Sequence, residues 1–107
     1  MTTFDDRERA AEGKFVHDEE IMFRAHARRD RQLGLWAGQL MHKSAAESQL
    51  YAESLISTEV MQGGDNSVVS KVLKDLAKVG IIKAETEIRS KMAVWLAEAL
   101  LALRNGG

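Results

Sequence analysis

The chain has 107 residues, of which 45% are hydrophobic and 29% charged, with no Pro and no Cys. That is the size of one ordinary domain. The missing Cys excludes a disulfide framework, a thiolate metal site and a cysteine nucleophile, and makes a reducing compartment the default. Fifteen Lys and Arg against sixteen Asp and Glu give a formal net charge of -1, without the basic excess that nucleic-acid binders use to neutralise phosphates. With no Pro, nothing forbids long helices.

The N-terminus, Met1-Thr2-Thr3-Phe4-Asp5-Asp6, is acidic and lacks the apolar core of a signal peptide, so a cytoplasmic location is expected. From Thr3 or Asp5 to Met41 only Gly13, Gly34 and Gly38 interrupt helical character. Such a segment makes a rod of roughly 55 Å at 1.5 Å per residue. Its core face is plain from Leu33 onward, where Leu33, Trp36, Ala37, Leu40 and Met41 keep helical spacing. Upstream the face thins to Phe4, Ala11, Phe15 and Met22, spaced seven, four and seven apart. That is a narrow seam suited to one partner helix or groove.

Charge divides the same segment. Residues 1 to 20 are acidic in balance, whereas Arg24, Arg28, Arg29 and Arg31 face only Asp30 in the stretch that follows. The arm is therefore acidic and its root basic. Gly13 costs about 1 kcal/mol relative to Ala in a helix interior. With few apolar anchors, the arm is expected to fray when free.

His42-Lys43-Ser44 marks the end of this segment, and Ser44-Ala45-Ala46-Glu47 has the form of a capping box, so a second helix is expected from there to about Met61. The run Gly63-Gly64-Asp65-Asn66-Ser67 breaks it, and Asp65 or Asn66 can cap a third helix. Val69, Val72, Leu73, Leu76 and Val79 supply that helix with one buried face, and Gly80 stops it, with Ile81 folding back as the apolar contact. The last helix carries Ile88, Met92, Trp95, Leu96, Ala99 and Leu103 in one stripe, behind a weakly marked start at Ala84. Ala93 to Leu103, the most apolar stretch, is about half the roughly 20 residues of a membrane span and reads as a buried core helix. The expected fold is an all-α four-helix bundle whose long first helix extends beyond it. The division is into an arm, residues 1–18, and a globular part, residues 19–107.

Few residues suggest chemistry. His17, His26 and His42 are far apart in sequence, form no H-E-x-x-H pair, and read as solvated helix positions, so no metal is expected. Gly63-Gly64-Asp65 lacks the phosphate-loop pattern. Nothing pairs a nucleophile with a base, and no enzymatic activity is expected. Arg24, Arg28 and Arg31, at i, i+4 and i+7, read first as a solvated face, helped by the Glu20–Arg24 spacing. A weak anion or nucleotide site on them is the alternative, which would make the chain a small sensing module. The seam points elsewhere. Phe4 and Phe15 are large apolar groups with no evident intrachain target, and helices of this kind dock into grooves on other proteins.

Met1-Thr2-Thr3-Phe4-Asp5-Asp6-Arg7-Glu8, Lys14-Phe15, His17-Asp18-Glu19-Glu20, Ala27-Arg28-Arg29 and Leu33-Gly34-Leu35-Trp36-Ala37 resemble the ζ subunit of alphaproteobacterial F-type ATP synthases. The likeness continues through Gly64-Asp65, Val69, Lys71-Val72, Glu87-Ile88-Arg89 and Lys91-Met92-Ala93, so that it spans nearly the whole chain. The resemblance implies a non-enzymatic inhibitor. Its N-terminal segment, here about Met1 to Asp18, would insert into the catalytic head and block ATP hydrolysis, while the part from about Glu19 anchors it. Phe4, Ala11, Phe15 and Met22 would then be the partner-facing seam, with Arg7, Arg9 and Lys14 pairing with acidic groups of the head. No cofactor is required; weak ADP or ATP binding is implied for the family, although no residue here forms a recognisable nucleotide motif. Two positions depart from the family pattern: Phe is usual where this chain has Ala11, and Ala or Lys where it has Gly13. Losing a Phe fully buried in a groove removes on the order of 3 kcal/mol of docking.

Overall fold

A computed structural model describes residues 3–106, with side chains from His17 onward. Among the described residues the order is α1 (Thr3–Leu40), α2 (Ala45–Thr58), a π turn (Glu59–Gly63), α3 (Asp65–Lys78) and α4 (Glu85–Arg104), with no strand. The fold is the expected all-α bundle. Helix α1 has 38 residues, α2 and α3 have 14 each and α4 has 20. At 1.5 Å per residue these are about 57, 21, 21 and 30 Å long, so no other helix can cover α1 end to end.

The core is built where the stripes meet: Leu33 and Ala37 of α1, Leu55 of α2, Val68, Val69, Val72 and Leu76 of α3, and Ile88 and Met92 of α4 are all buried. Trp36, Leu40, Met41, Tyr51, Leu73, Ile81 and Trp95 close its edges. Trp36 and Trp95 join α1 to α4 with ring centroids 6.4 Å apart at 59°, and the Lys91 ammonium lies 5.0 Å from the Trp36 centroid. Tyr51 of α2 donates its hydroxyl hydrogen to Asp75 of α3 at 2.9 Å, and Lys71 donates to the same oxygen at 2.9 Å.

Gly34 and Gly38 do not break α1. At both, α2 packs directly against the backbone of α1. A Cβ on Gly34 would overlap the backbone of Ala52, and one on Gly38 would lie 2.8 Å from the Ser48 Cβ and 3.1 Å from its Cα. The pattern that reads as a weakness in isolated helix propensity is a contact surface of small residues on both helices.

The helix ends follow local chemistry. Ser44 caps α2 as a complete box: its Oγ accepts from the Glu47 N–H at 3.1 Å, and the Glu47 carboxylate accepts from the Ser44 N–H at 2.9 Å. Those bonds hold the Glu47 carboxyl below its ordinary value. At Gly80 (φ 82°) the Ile81 N–H donates to Leu76 and the Gly80 N–H to Ala77, the paired bonds of a left-handed helix stop. Helix α1 ends in the same way at His42 (φ 59°), with Lys43 N–H donating to Gly38 and His42 N–H to Gln39.

Two local expectations are corrected. Neither Asp65 nor Asn66 caps α3; Gly64 (φ 85°) is the cap residue and Asp65 is already inside the first turn. Asn66 instead accepts from Arg89 of α4 at 2.8 Å. The stretch Ala93 to Leu103 is not a buried core helix. Only Ala99 in it is buried, and Val94 and Leu101 are 55% and 65% exposed. A stripe facing one neighbour buries a third of a helix, however apolar the remainder is.

Gly38→Ala is expected to lower stability by about 1–3 kcal/mol through overpacking against Ser48, despite its better helix propensity. His42→Gly is expected to raise it by about 1 kcal/mol, because the left-handed conformation is open to Gly without penalty. Urea unfolding of both variants checks the pair of signs.

Candidate functional site

The root of the arm carries the candidate residues Met22, Arg24, Arg28 and Arg31, and there the structure regroups them. The core stripe of α1 reaches further upstream than Leu33. Ala25, Arg29 and Leu33, four residues apart, are all buried. Arg29 therefore does not belong to a basic surface: it is 1% exposed and occupies a core position.

A charge in that position requires partners. Arg29 donates from Nε and Nη2 to Asp30 Oδ1 at 3.1 and 3.0 Å, and from Nη2 to Glu59 Oε1 at 2.6 Å. The same Nη2 makes an ion pair with Asp65 Oδ1 at 2.8 Å. Asp30 is 0% exposed. Glu59 opens the π turn and Asp65 opens α3, so one guanidinium ties three elements together. The wider π turn carries α2 onward to the Gly63-Gly64 corner, bringing both carboxylates to the same place.

His26, expected in solvent, is a second correction. It is half-buried, and Nδ1, in the tautomer protonated there, donates to Glu59 Oε1 at 3.1 Å, with Asp65 Oδ1 at 3.8 Å. The cation that these groups surround is the Arg29 guanidinium. Arg29 is held above its ordinary value: burial acts to lower it, and the Asp30, Glu59 and Asp65 carboxylates outweigh that. Burial pushes Asp30 up, to about 8, helped by its hydrogen bond with Glu59 and opposed by Arg29. Burial acts upward on Glu59 too, yet its bonds with Asp30 and His26 and the charge of Arg29 bring it down to about 2.

The arginine face also changes. Arg28 and Arg31 line a cavity of about 270 Å³ between α1 and α4, together with Gln32, Leu35, Trp95 and Glu98. Arg24 is exposed and is not among the residues lining it. Met22, 37% exposed, lines a different hollow of about 410 Å³ with Phe23, Ala27, Ile56 and Val60. The other seam residues, Phe4, Arg7, Arg9, Ala11, Lys14 and Phe15, lie outside the residues whose side chains the structure describes. His17 is exposed on α1.

Sequence reasoning missed Arg29, Asp30, His26, Glu59 and Asp65 as a unit. One signal was available: Arg29 falls midway between Ala25 and Leu33 at the core spacing, which demands buried counter-charges elsewhere in the chain.

The described fold and its internally paired polar junction define a small helical protein held together by interhelical contacts. The family model described as ATPase inhibitor subunit zeta matches residues 1–101, and the chain belongs to that family of regulatory, non-catalytic subunits. A solved solution NMR structure is similar, with a TM-score of 0.67 and 31% identity over 81% of this chain and 99% of that one. No curated protein sequence matches. Among the described residues, no helix is long and apolar enough to cross a membrane.

Glu59→Ala is expected to destabilise the fold by about 2–3 kcal/mol, because it strips a buried guanidinium of a charged partner. Arg104→Ala, at the exposed end of α4, is expected to stay within about 0.5 kcal/mol of the parent. Chemical unfolding of the two variants side by side measures the contrast.

Proposed function

We propose that this chain inhibits an F-type ATP synthase by inserting its N-terminal segment, residues 1–18, into a catalytic interface of the head, with residues 19–107 as the anchor. The observation that carries this reading is the disparity along α1. The helix begins at Thr3, whereas its first buried side chain among those described is Ala25, and His17 to Glu20 are exposed. From Thr3 to Arg24 is about 33 Å of helix at 1.5 Å per residue. The molecule is accordingly long and narrow, 64 × 24 × 22 Å. A long helix whose described side chains are first buried at Ala25 suits insertion of its N-terminal end into a partner.

In this mechanism Phe4 and Phe15 are the apolar anchors, and Arg7, Arg9 and Lys14 pair with acidic groups of the head. Met22 stands at the border, where the seam meets the bundle. An inserted helix acts as a wedge: it holds the interface in one conformation and stops the rotation that hydrolysis drives. Ala11 offers the groove less surface than the Phe usual in the family, and Gly13 raises the ordering cost by about 1 kcal/mol.

A second reading has one observation in its favour: Arg28 and Arg31 share a cavity with Trp95, two cations beside an aromatic face. That set suits weak binding of an anionic, ring-bearing ligand such as ADP or ATP, with Glu98 on the wall opposing the charge. Arg24 would take no part. Calorimetry with ADP, ATP and sulfate, repeated on Arg31→Ala, tests it; heats unchanged by the substitution would exclude this cavity.

Deleting residues 1–18 is expected to abolish inhibition of the purified enzyme while leaving the helical circular dichroism of the bundle and its cooperative unfolding in place. Equal inhibition by the truncated chain would overturn the wedge. Phe15→Ala is expected to weaken inhibition, and Ala11→Phe to strengthen it by up to about 100-fold, the equivalent of roughly 3 kcal/mol of restored burial. Titration curves for the three proteins against one enzyme preparation give the order.

A further inference from the structure

Where α1 enters the bundle, three carboxylates converge on one guanidinium. Arg29 Nη2 lies 3.0 Å from Asp30, 2.6 Å from Glu59 and 2.8 Å from Asp65. Were all three acids ionised, the group would carry two uncompensated negative charges in a region where Asp30 is fully buried and the Glu59 side chain is 15% exposed. The remaining charged or titratable neighbours do not cancel that excess. His26, on α1, faces Glu59 and Asp65 through Nδ1. Arg89, on α4, lines a small cavity beside Arg29 and Asp65, but its Nη2 is engaged by Asn66 at 2.8 Å and Glu85 at 3.3 Å.

The second oxygen of Asp30 carries the argument. Oδ2 is buried and accepts no hydrogen bond from any described group, whereas Oδ1 takes both bonds from Arg29. An anionic oxygen left bare in a dry site is costly. A carboxylic acid O–H in the same place needs an acceptor, not a donor, and the Glu59 carboxylate is held beside Asp30 on the same Arg29 nitrogen.

We propose that Asp30 is a protonated acid in the folded protein, that it donates Oδ2–H to the Glu59 carboxylate, and that this shared proton is a latch between α1 and the π turn which opens as the pH rises. The proton leaves one ionised carboxylate at Glu59 and one at Asp65 around Arg29, reducing the excess charge by one. The upward displacement of Asp30 and the downward displacement of Glu59 have the signs such a pair requires. The linkage runs opposite to that of an ordinary salt-bridged Asp. The folded chain keeps a proton that the unfolded chain, with Asp30 near 3.8, has already lost, so the contribution to stability declines from about pH 4 to about pH 8 and is flat above. The latch stands on the junction alone; its regulatory consequence, a looser root for the arm at high pH, rests on the wedge reading.

Carbon-13 NMR of the full chain reads the proton directly. The Asp30 carboxyl is expected to show the protonated shift at pH 6 and to titrate with a midpoint near pH 8; an ionised shift at pH 6 overturns the proposal. Asp30→Asn replaces the acid with a neutral amide that still accepts from Arg29 and donates to Glu59. Its melting temperature is expected to change little between pH 6 and 9, while that of the parent falls by several degrees; parallel profiles overturn the latch. Inhibition titrations at pH 6 and 9 separate the two layers. A pH response present in the parent and absent in Asp30→Asn supports coupling to the arm. The same response in both proteins, with the NMR result intact, overturns the coupling and leaves the latch. Loss of inhibition on deleting residues 1–18 tests the wedge independently of either.

Discussion

The burial of Arg29 is the constraint on which the rest of the structure depends. A guanidinium 1% exposed on the core side of α1 must find counter-charges within hydrogen-bonding distance, or the fold does not form. Asp30 supplies one from the same helix, Glu59 another from the π turn, and Asp65 a third from the start of α3. The path of the chain between α2 and α3 is therefore dictated by charge as much as by apolar packing. The π turn and the two left-handed glycines at 63 and 64 are the backbone needed to deliver two acids to one point.

The apolar contacts do complementary work at the other end of α1. There the small residues Gly34 and Gly38 let α2 lie close, and Leu33 and Ala37 pack beside them against Leu55 and the valines of α3. Among its described residues the helix thus carries three successive surfaces: a glycine and leucine face set in the core, a polar junction at Arg29, and an exposed stretch from His17 to Glu20. Membership of the ζ inhibitor family makes the chain a regulatory subunit, and the proposed wedge assigns the N-terminal end of this helix to the enzyme.

Much of the fold was legible in the sequence because it is written in local chemistry. The capping box at Ser44 and the stop at Gly80 act through residues three to five apart, and both stand as read. Spacing alone found Val69, Val72 and Leu76 of α3 and Ile88, Met92 and Ala99 of α4, but it missed the buried Val68 and placed Val79, 54% exposed beyond the end of α3, on the buried face. What could not be read were the contacts between residues distant in sequence. Arg29 looked like part of a charged surface because Glu59, which accepts from it, lies 30 residues away. His26 looked solvated for the same reason, and Gly34 looked like a flaw because the helix that needs its small size is elsewhere in the chain. The apolar run at Ala93 to Leu103 erred in the other direction: hydropathy reports what a residue tolerates, not whether a neighbour is present to cover it. For the seam, the family resemblance added what spacing alone left open.

The placement of charge has a further consequence for how the molecule responds to salt. Ions in solution screen charges that water reaches and leave nearly untouched those that it does not. Arg29 and Asp30 are sealed inside the junction, so raising the ionic strength leaves the frame of the bundle standing. Arg7, Arg9 and Lys14, in the docking proposed for them, meet their partners as charges arriving from solvent, where screening is felt in the rate of encounter. On the proposed docking, added salt therefore acts on the charges the arm brings to the enzyme and leaves the body that carries it undisturbed.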